Sequence, residues 1–309
     1  MTRRGLPPTP VGMTTPSNLR GIGCMVLATA TFVTNDCLMK LALADLPPYE
    51  VVIGRGLSAI VWCLPMLFAM GLGGKIRLAL NPWVLLRALC EGCALLCFML
   101  LLARIPIGDL TAIMQTTPLL VVAGAALLFG DRIGPWRIAL ILIGFVGAVL
   151  VAQPGTPTGS IAAPVGFLAA LMAAGRDSLA RKVPPDVPGL VTAFATVVVV
   201  MTLGLCVSLL FETRVWPSSF NVLCLLGAGL FVVFGQFFVF LAFRLGAASA
   251  VAPFSYLAAV FAVLFGAFFF HEIPNTWSVA GMALIVGSGL VIIVAGERER
   301  RRAVTIAAA

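Results

Sequence analysis

Long apolar segments dominate this sequence and recur from residue 21 to residue 296 with short polar breaks between them. Each of the ten segments is close to the ~20 residues with which an α-helix crosses a bilayer. They are too long and too continuous for barrel strands, which span about ten residues and alternate polar with apolar positions. The segments are 21–43, 51–71, 83–103, 108–129, 136–152, 161–180, 189–211, 221–243, 248–270 and 276–296. The sequence therefore predicts an all-α membrane protein with ten transmembrane helices.

The composition argues against a large water-exposed domain. Charged residues make up only 10% of the 309 residues, whereas a soluble domain carries roughly 25%. The expected organisation is a disordered cytoplasmic tail over 1–20, helices 1–5 in 21–153, helices 6–10 in 161–296 and a basic cytoplasmic tail over 297–309. Met1 and Met13 are both candidate starts.

The Lys and Arg residues indicate the orientation. With a cytoplasmic N-terminus and ten crossings, sixteen of the 20 basic residues fall inside, and only Lys40, Arg55, Arg104 and Arg214 fall outside. The positive-inside rule therefore places both termini in the cytoplasm. We expect the basic cluster 298–302 to face anionic lipid rather than nucleic acid.

Motifs for catalysis and for metal binding do not stand out. The eight cysteines lie in apolar segments, and the stripe of Cys90, Cys93 and Cys97 has no histidine beside it, so no metal is expected. The sequence contains neither a Walker-type phosphate loop nor a Gly-x-Ser-x-Gly elbow. We therefore expect no enzyme activity and no cofactor.

An internal repeat relates the two halves at an offset of 141 residues. The matches are Asp36-x3-Lys40 with Asp177-x3-Arg181, and Asp131 and Trp136 with Glu272 and Trp277. Several matches at one offset indicate a duplication. Because each half holds five segments, an odd number, the halves enter the membrane from opposite sides. Such a 5+5 inverted repeat is typical of carriers that alternate access around a site near the midplane.

Several stretches resemble the EamA domain of the drug/metabolite transporter superfamily. They are 127–133 with Gly144 and Gly147, 252–256 through Glu272 with Gly281 and Gly287, and Asn35-Asp36 with Lys40 and Arg55-Gly56. The first stretch resembles the acidic end of helix 4 followed by a glycine-rich helix 5, and the second resembles its repeat. Two positions depart from the family pattern: Asp131 stands where Glu is usual, and Ala259 stands where the first copy has Pro118.

This resemblance implies a central cavity lined by helices of both halves and a secondary transporter of a small organic metabolite. The family's substrates include amino acids, riboflavin, S-adenosylmethionine, sugars and drugs, so the substrate stays open, as do the coupling ion and the direction of transport. We expect a bacterial inner-membrane protein, embedded in the lipid bilayer as a monomer or homodimer. The alternatives are a polytopic membrane enzyme acting on lipid and a channel.

Charged side chains within the apolar segments are the first site candidates, because such a group costs about 2.5–3.5 kcal/mol at a helix centre. Glu91 lies deepest and is expected to bind a cationic substrate group or a proton. Its alternative role is an ion pair with Arg87, one turn earlier. Arg55 is expected to bind a carboxylate or phosphate, or else to pair with Asp36 or reach the interface.

The repeated acid–base motif supplies the candidate gates. Asp36 and Lys40 lie on one helix face near the outer end, and they are expected to contact substrate, to form a gate or to pair with each other. Asn35 is a further contact candidate. Asp177 and Arg181 are the corresponding gate candidates near the inner end.

Polar residues near prolines are the remaining candidates for lining the cavity. Gln115, Thr116 and Thr117 precede Pro118, where a kink is expected, and their alternative role is hydrogen bonding between helices. The second half offers Gln236, Ser255 and Tyr256. His271, the only histidine, is expected to lie at the interface without a function.

Overall fold

The computed structural model describes residues 16–129, 134–153 and 159–308, which form helices and connecting turns. In chain order the helices are α1 Pro16–Ala42, α2 Pro48–Ala69, α3 Pro82–Leu102, α4 Ile107–Met114, α5 Thr117–Phe129, α6 Pro135–Ala152, α7 Gly159–Leu179, α8 Gly189–Phe211, α9 Ser219–Leu245, α10 Ala248–Val251, α11 Leu257–Phe270 and α12 Thr276–Ala308. Short 3₁₀ segments lie at Gly73–Leu80, Ala180–Lys182 and Ala252–Tyr256. The described residues contain no strand, which confirms the predicted all-helical class.

Nine spans in the described part of the chain are long and apolar enough to cross a membrane. They correspond to nine of the ten predicted segments, and α7 is the helix that is not among them. Near its end α7 carries the charged residues Arg176 and Asp177, and it also contains Pro164.

The duplication is visible in the helix boundaries. The first residues of α2 and α8, of α4 and α10, and of α6 and α12 are each 141 positions apart. The helix pairs follow the same relation: α1 packs on α9 as α7 packs on α3, and α2 and α6 pack on their own counterparts, α8 and α12.

The counterpart helices run antiparallel. Gly56 of α2 faces Met201 of α8, whereas Gly204, later on α8, faces Val52, earlier on α2. The pair α6 and α12 behaves in the same way. There Gly144 lies against Ser288 and Gly147 against the carbonyl of Gly281, so a side chain at either glycine would collide with the partner helix. Glycine at these positions permits the close helix approach that is common in membrane bundles.

Two of the predicted helices are broken. The segment 108–129 forms α4 and α5 with a bend at Gln115 and Thr116, and the segment 248–270 forms α10, the 3₁₀ segment and α11. Pro118 explains the first break, because it lacks the N–H that would bond to the carbonyl of Met114. The Thr117 hydroxyl donates to that carbonyl instead, at 2.7 Å.

The two ends of the bundle are marked by contacts between loops. At one end, Asn221 Nδ2 donates to Asp45 Oδ2 at 3.1 Å, and the backbone N–H of Tyr49 donates to Glu212 Oε1 at 3.0 Å. At the other end, the N–H of Ala247 donates to Asn18 Oδ1 at 3.0 Å. The beginning of α1 and the end of α9 therefore lie together, opposite the α1–α2 loop.

Helices extend into both of the predicted tails. Helix α1 begins at Pro16, inside the segment expected to be disordered, and α12 continues to Ala308 through the predicted basic tail. Residues 1–15, with Met1 and Met13, lie outside the described residues. The same holds for Asp131, so the acidic residue predicted to close the first repeat is not described.

Candidate functional site

Asn35 and Asp36 form a polar pair on the inner face of α1. The Asn35 side chain is 3% exposed, and its Nδ2 donates to Asp36 Oδ1 at 2.8 Å. The Oδ1 atom of Asn35 is buried and has no hydrogen-bond partner within the described residues. The pair therefore presents a carboxylate and a free amide oxygen inside the bundle.

Arg55 enters the same region from α2. It is only 8% exposed, and the acidic groups whose charges act on it are Asp36 and Glu91. In the part of the chain that the structure describes, Arg55 forms neither a hydrogen bond nor an ion pair, and its Nε atom is buried without a partner. Its guanidinium is thus close to two carboxylates but bonded to neither.

Glu91 lies nine residues after the start of α3, about 14 Å along the helix axis. Its Oε2 atom is 2.6 Å from Arg176 Nη1 on α7, and Arg176 Nε is 2.7 Å from Asp177 Oδ1. Arg87, the partner considered from the sequence, instead donates to Thr196 of α8 at 3.3 Å. Glu91 is therefore paired with the other half of the molecule and not with its own helix.

The ionic side chains of this contact are only partly buried. The exposed fractions are 24% for Glu91, 27% for Arg176 and 43% for Asp177. Charged groups persist among apolar helices where they pair with one another or reach water, and this contact does the first.

The repeat relates these residues to one another. Asn35 and Asp36 correspond to Arg176 and Asp177, and in both pairs the first side chain donates to the carboxylate of the second. Arg55 corresponds to Thr196. Arg176 was not among the predicted site residues. The signal that could have identified it is its position 141 residues after Asn35.

A second group of polar residues lies where the two helix breaks are in contact. Gln115 Nε2 donates to the carbonyl of Ser255 at 3.2 Å, and Gln115 corresponds by the repeat to Tyr256. Tyr256 is 2% exposed, and its hydroxyl has no partner among the residues described. The hydroxyls of Thr116 and Ser255 donate to carbonyls of their own turns, at 2.7 and 2.8 Å, so they are already engaged.

Lys40 forms a cross-link at the end of the bundle that contains the α1–α2 loop. Its Nζ atom is 2.5 Å from Glu272 Oε1 and 3.0 Å from the carbonyl of Ile105, while Glu272 Oε2 accepts from the N–H of Ile107 at 2.9 Å. Glu272 thus connects α1, the start of α4 and the end of α11. Lys40 therefore pairs with Glu272. The pairing of Lys40 with Asp36, which was one of the expectations from the sequence, is not formed.

Three of the predicted or weighed residues lie apart from these clusters. Gln236 is exposed on α9 and Arg181 is exposed just after α7, and neither forms a hydrogen bond or ion pair in the described ranges. His271 is exposed and ends α11 in a left-handed conformation, with φ of 55°. The described residues also contain no group of His, Cys, Asp and Glu able to hold a metal ion.

A known protein family matches both halves of this chain. The EamA-like transporter family matches residues 19–153 and again residues 160–294. The chain belongs to the EamA-like transporter family. It is therefore a multi-pass membrane transporter of the drug/metabolite type and not an enzyme, as predicted.

Relatives of this EamA-like transporter have been assigned different substrates. The pseudopaline exporter CntI of Pseudomonas aeruginosa is 31% identical over 86% of this chain and 93% of its own length. A riboflavin transporter of Rhizobium johnstonii is 30% identical, covering 90% and 92%. An S-adenosylmethionine uptake transporter of Rickettsia prowazekii is 26% identical, covering 91% and 95%.

A solved structure supports the fold. One crystal structure matches with a TM-score of 0.63 over 91% of this chain and 98% of that chain, at 21% identity. At this identity the match concerns the fold alone.

Proposed function

We propose that this EamA-like transporter is a secondary carrier of a small organic metabolite that works by alternating access in the bacterial inner membrane. The observation that carries the proposal is the set of ionic side chains on helices of both halves: Asp36, Arg55, Glu91 and Arg176. In lipid such groups are costly, and they mark the path of a polar solute. The helices around them come from two antiparallel copies, which is the arrangement that alternating access requires.

The proposed topology has ten crossings in two inverted sets of five, with both termini in the cytoplasm. The tenth crossing is α7, whose 21 residues are long enough to span despite Arg176 and Asp177. The antiparallel pairs α2–α8 and α6–α12 support the inversion. The end with Asp45 and Glu212 faces outwards in this topology, because most Lys and Arg residues then lie on the inner side.

The gates are proposed to lie at equivalent positions of the two halves. Lys40 is held by Glu272, whereas Arg181, its counterpart, is exposed and unpaired within the described chain. We infer a state that is closed at the outer end and open at the inner end, with Asp177 and Arg181 belonging to the inner gate. In the opposite state the two ends exchange roles.

The substrate is proposed to be an amino acid or a cofactor-like metabolite, and the riboflavin and S-adenosylmethionine named for two relatives support the second kind. Asn35, Gln115, Thr116, Ser255 and Tyr256 are proposed to line the cavity beside the four ionic residues. Coupling is proposed to be to a proton through Glu91 or to an exchanged solute. A monomer is sufficient because one chain supplies both halves, and a homodimer is the alternative assembly.

Counterflow into proteoliposomes tests the carrier mechanism. Purified protein is reconstituted, the vesicles are loaded with a bacterial metabolite extract, and uptake of the same labelled extract is followed by mass spectrometry. A carrier gives saturable uptake that is stimulated by internal solute, and empty liposomes serve as the control. Ohmic, non-saturating flux would identify a channel and contradict the proposal.

A further inference from the structure

A groove runs between α1 and α11 in the part of the bundle that spans the membrane. It has a volume of about 540 Å³ and is lined by eight residues, four of α1 within 34–41 and four of α11 within 264–269. These residues belong to two of the spans that are long and apolar enough to cross a bilayer, Asn18–Ala42 and Ala252–Phe270. The solvent around the groove is therefore hydrocarbon and not water.

Three phenylalanine rings form the α11 wall of the groove. Phe265 and Phe269 pack edge to face with their ring centroids 5.8 Å apart, and Phe268 and Phe269 do so at 5.0 Å. This is a preferred arrangement of aromatic pairs, so neighbouring rings hold one another in place. Leu264, Phe268 and Phe269 are each more than half exposed. The wall therefore faces out of the bundle, and the groove opens towards the lipid.

The α1 side of the groove leaves no strong hydrogen-bonding group free among its four described residues. The Thr34 hydroxyl donates to the carbonyl of Ala30 at 2.8 Å, Cys37 is a buried thiol, and the other two are leucines. Lys40, within the same stretch of α1, is bound by Glu272. A solute recognised by charge or by hydrogen bonds thus finds no partner here, whereas a hydrocarbon chain requires none.

The size of the groove argues against a second copy of the protein as its occupant. A stable protein–protein interface uses about 20–30 residues a side, and a helix with its side chains is about 10–12 Å across. The groove has eight lining residues on two helices, which suits a single flexible chain. Left empty, its lining would lose packing contacts outright, so the bilayer is expected to supply an occupant.

We propose that the groove between α1 and α11 binds one acyl chain of a membrane phospholipid, and that it selects the chain and not the head group. This inference goes beyond the carrier function and does not depend on it. Helix α1 belongs to the first half of the chain and α11 to the second. A chain bound in the groove therefore contacts both halves, close to the cross-link between Lys40 and Glu272.

Native mass spectrometry of the purified protein in detergent tests the site. The probes are phosphatidylglycerol, phosphatidylethanolamine and phosphatidylcholine with identical palmitoyl and oleoyl chains, each added after exchange of the co-purified lipid. Thr34→Trp places an indole in the groove and should remove one bound lipid per chain with every probe. The affinities of the lipid that is removed should agree within about threefold, because head-group recognition requires charge-assisted hydrogen bonds that the groove does not offer.

Thr202→Trp is the matched control. Thr202 is exposed on α8, and its hydroxyl also donates to a carbonyl of its own helix at 2.8 Å, so this variant should bind lipid like the wild type. Leu264→Trp, at the exposed rim of the groove, is the second variant and gives the same reading if Thr34→Trp does not fold.

A phospholipid with a photoreactive diazirine in one acyl chain gives an independent reading on the wild-type protein in proteoliposomes. After irradiation and peptide mapping, the labels should concentrate on 34–41 and 264–269. The proposal is overturned if the labels spread evenly over the lipid-facing helices, or if both groove variants retain as many lipids as the wild type. Loss of one head group alone would indicate a head-group site, and loss of a dimer instead of a lipid would assign the groove to a second copy.

Discussion

Glu91 and Arg176 form an ionic contact at 2.6 Å, and they join α3 to α7. In the proposed alternating-access cycle, helices of one half move against those of the other, so a bond between the halves is expected to change during transport. The carboxylate can be released by a substrate cation or by a proton. Glu91 is therefore expected to couple solute binding to the movement of α7.

Glu91→Gln removes the negative charge and leaves Arg176 with Asp177 alone. We expect transport to fall about tenfold or more and to lose its pH dependence, measured by counterflow at several pH values. Loss of this partly buried ion pair is also expected to lower the stability, so the amount of folded protein must be measured by size exclusion. Asp186→Asn, at an exposed acid, is the control. An unchanged rate and pH profile would remove Glu91 from the mechanism.

At the residue scale, the sequence identified the charged groups but not their partners. Glu91, Arg55 and Asp36 are recognisable because charges are rare in apolar segments. The partner of Glu91 lies 85 residues away on another helix, and no local spacing reveals such a contact. Spacing within one helix suggested Arg87 as the partner of Glu91 and Asp36 as the partner of Lys40. The structure instead pairs Glu91 with Arg176 of α7 and Lys40 with Glu272, just after α11.

The two helix breaks, one in each half of the chain, lie beside each other. Gln115, in the first break, donates to the backbone of Ser255, in the second. Pro118 pointed to the first break. The second break was harder to predict, because Pro253 near the start of a segment is compatible with an ordinary helix beginning. Discontinuous helices of this kind often surround binding sites in transporters.

The cross-link between α1 and α11 yields a prediction at the scale of helices. Glu272 binds Lys40 with one oxygen and the N–H of Ile107 with the other. The single variants Lys40→Gln and Glu272→Gln and the double variant should show a coupling of about 0.5–3 kcal/mol in unfolding free energy. Glu272→Gln should destabilise more, because it weakens both contacts.

Arg181→Gln is the control that the repeat provides, since this counterpart of Lys40 is exposed and has no partner in the described ranges. It should leave stability within about 0.5 kcal/mol of the wild type. Additive effects of the Lys40 and Glu272 variants would show that their contact does not hold the outer end closed.

At the scale of the whole molecule, the repeat was readable because duplication preserves spacing. The offset of 141 obtained from a few motifs recurs in the starts of three pairs of helices. The differences between the halves are less predictable. Arg55 corresponds to Thr196 and Glu91 to Val232, so these charged residues of the first half have no charged counterpart in the second half. Only the packed structure reveals which charged groups are in contact.

The orientation of the chain supplies the last prediction. Ten crossings and a basic inner side require both termini in the cytoplasm, and α7 must then span the membrane although it carries Arg176 and Asp177. Green fluorescent protein fused after Ala309 should fluoresce, and alkaline phosphatase at the same position should be inactive. The same reporters placed after Gly155, between α6 and α7, should give the opposite result.

Nine crossings, without α7, would place both fusion sites on the same side of the membrane. A fluorescent protein is dark when exported through the general secretory route and alkaline phosphatase is active only outside, so the paired reporters separate the two topologies. Identical signals at the two sites would contradict the inverted five-plus-five arrangement. Because the two halves could then no longer face opposite sides, alternating access between equivalent gates would fail with it.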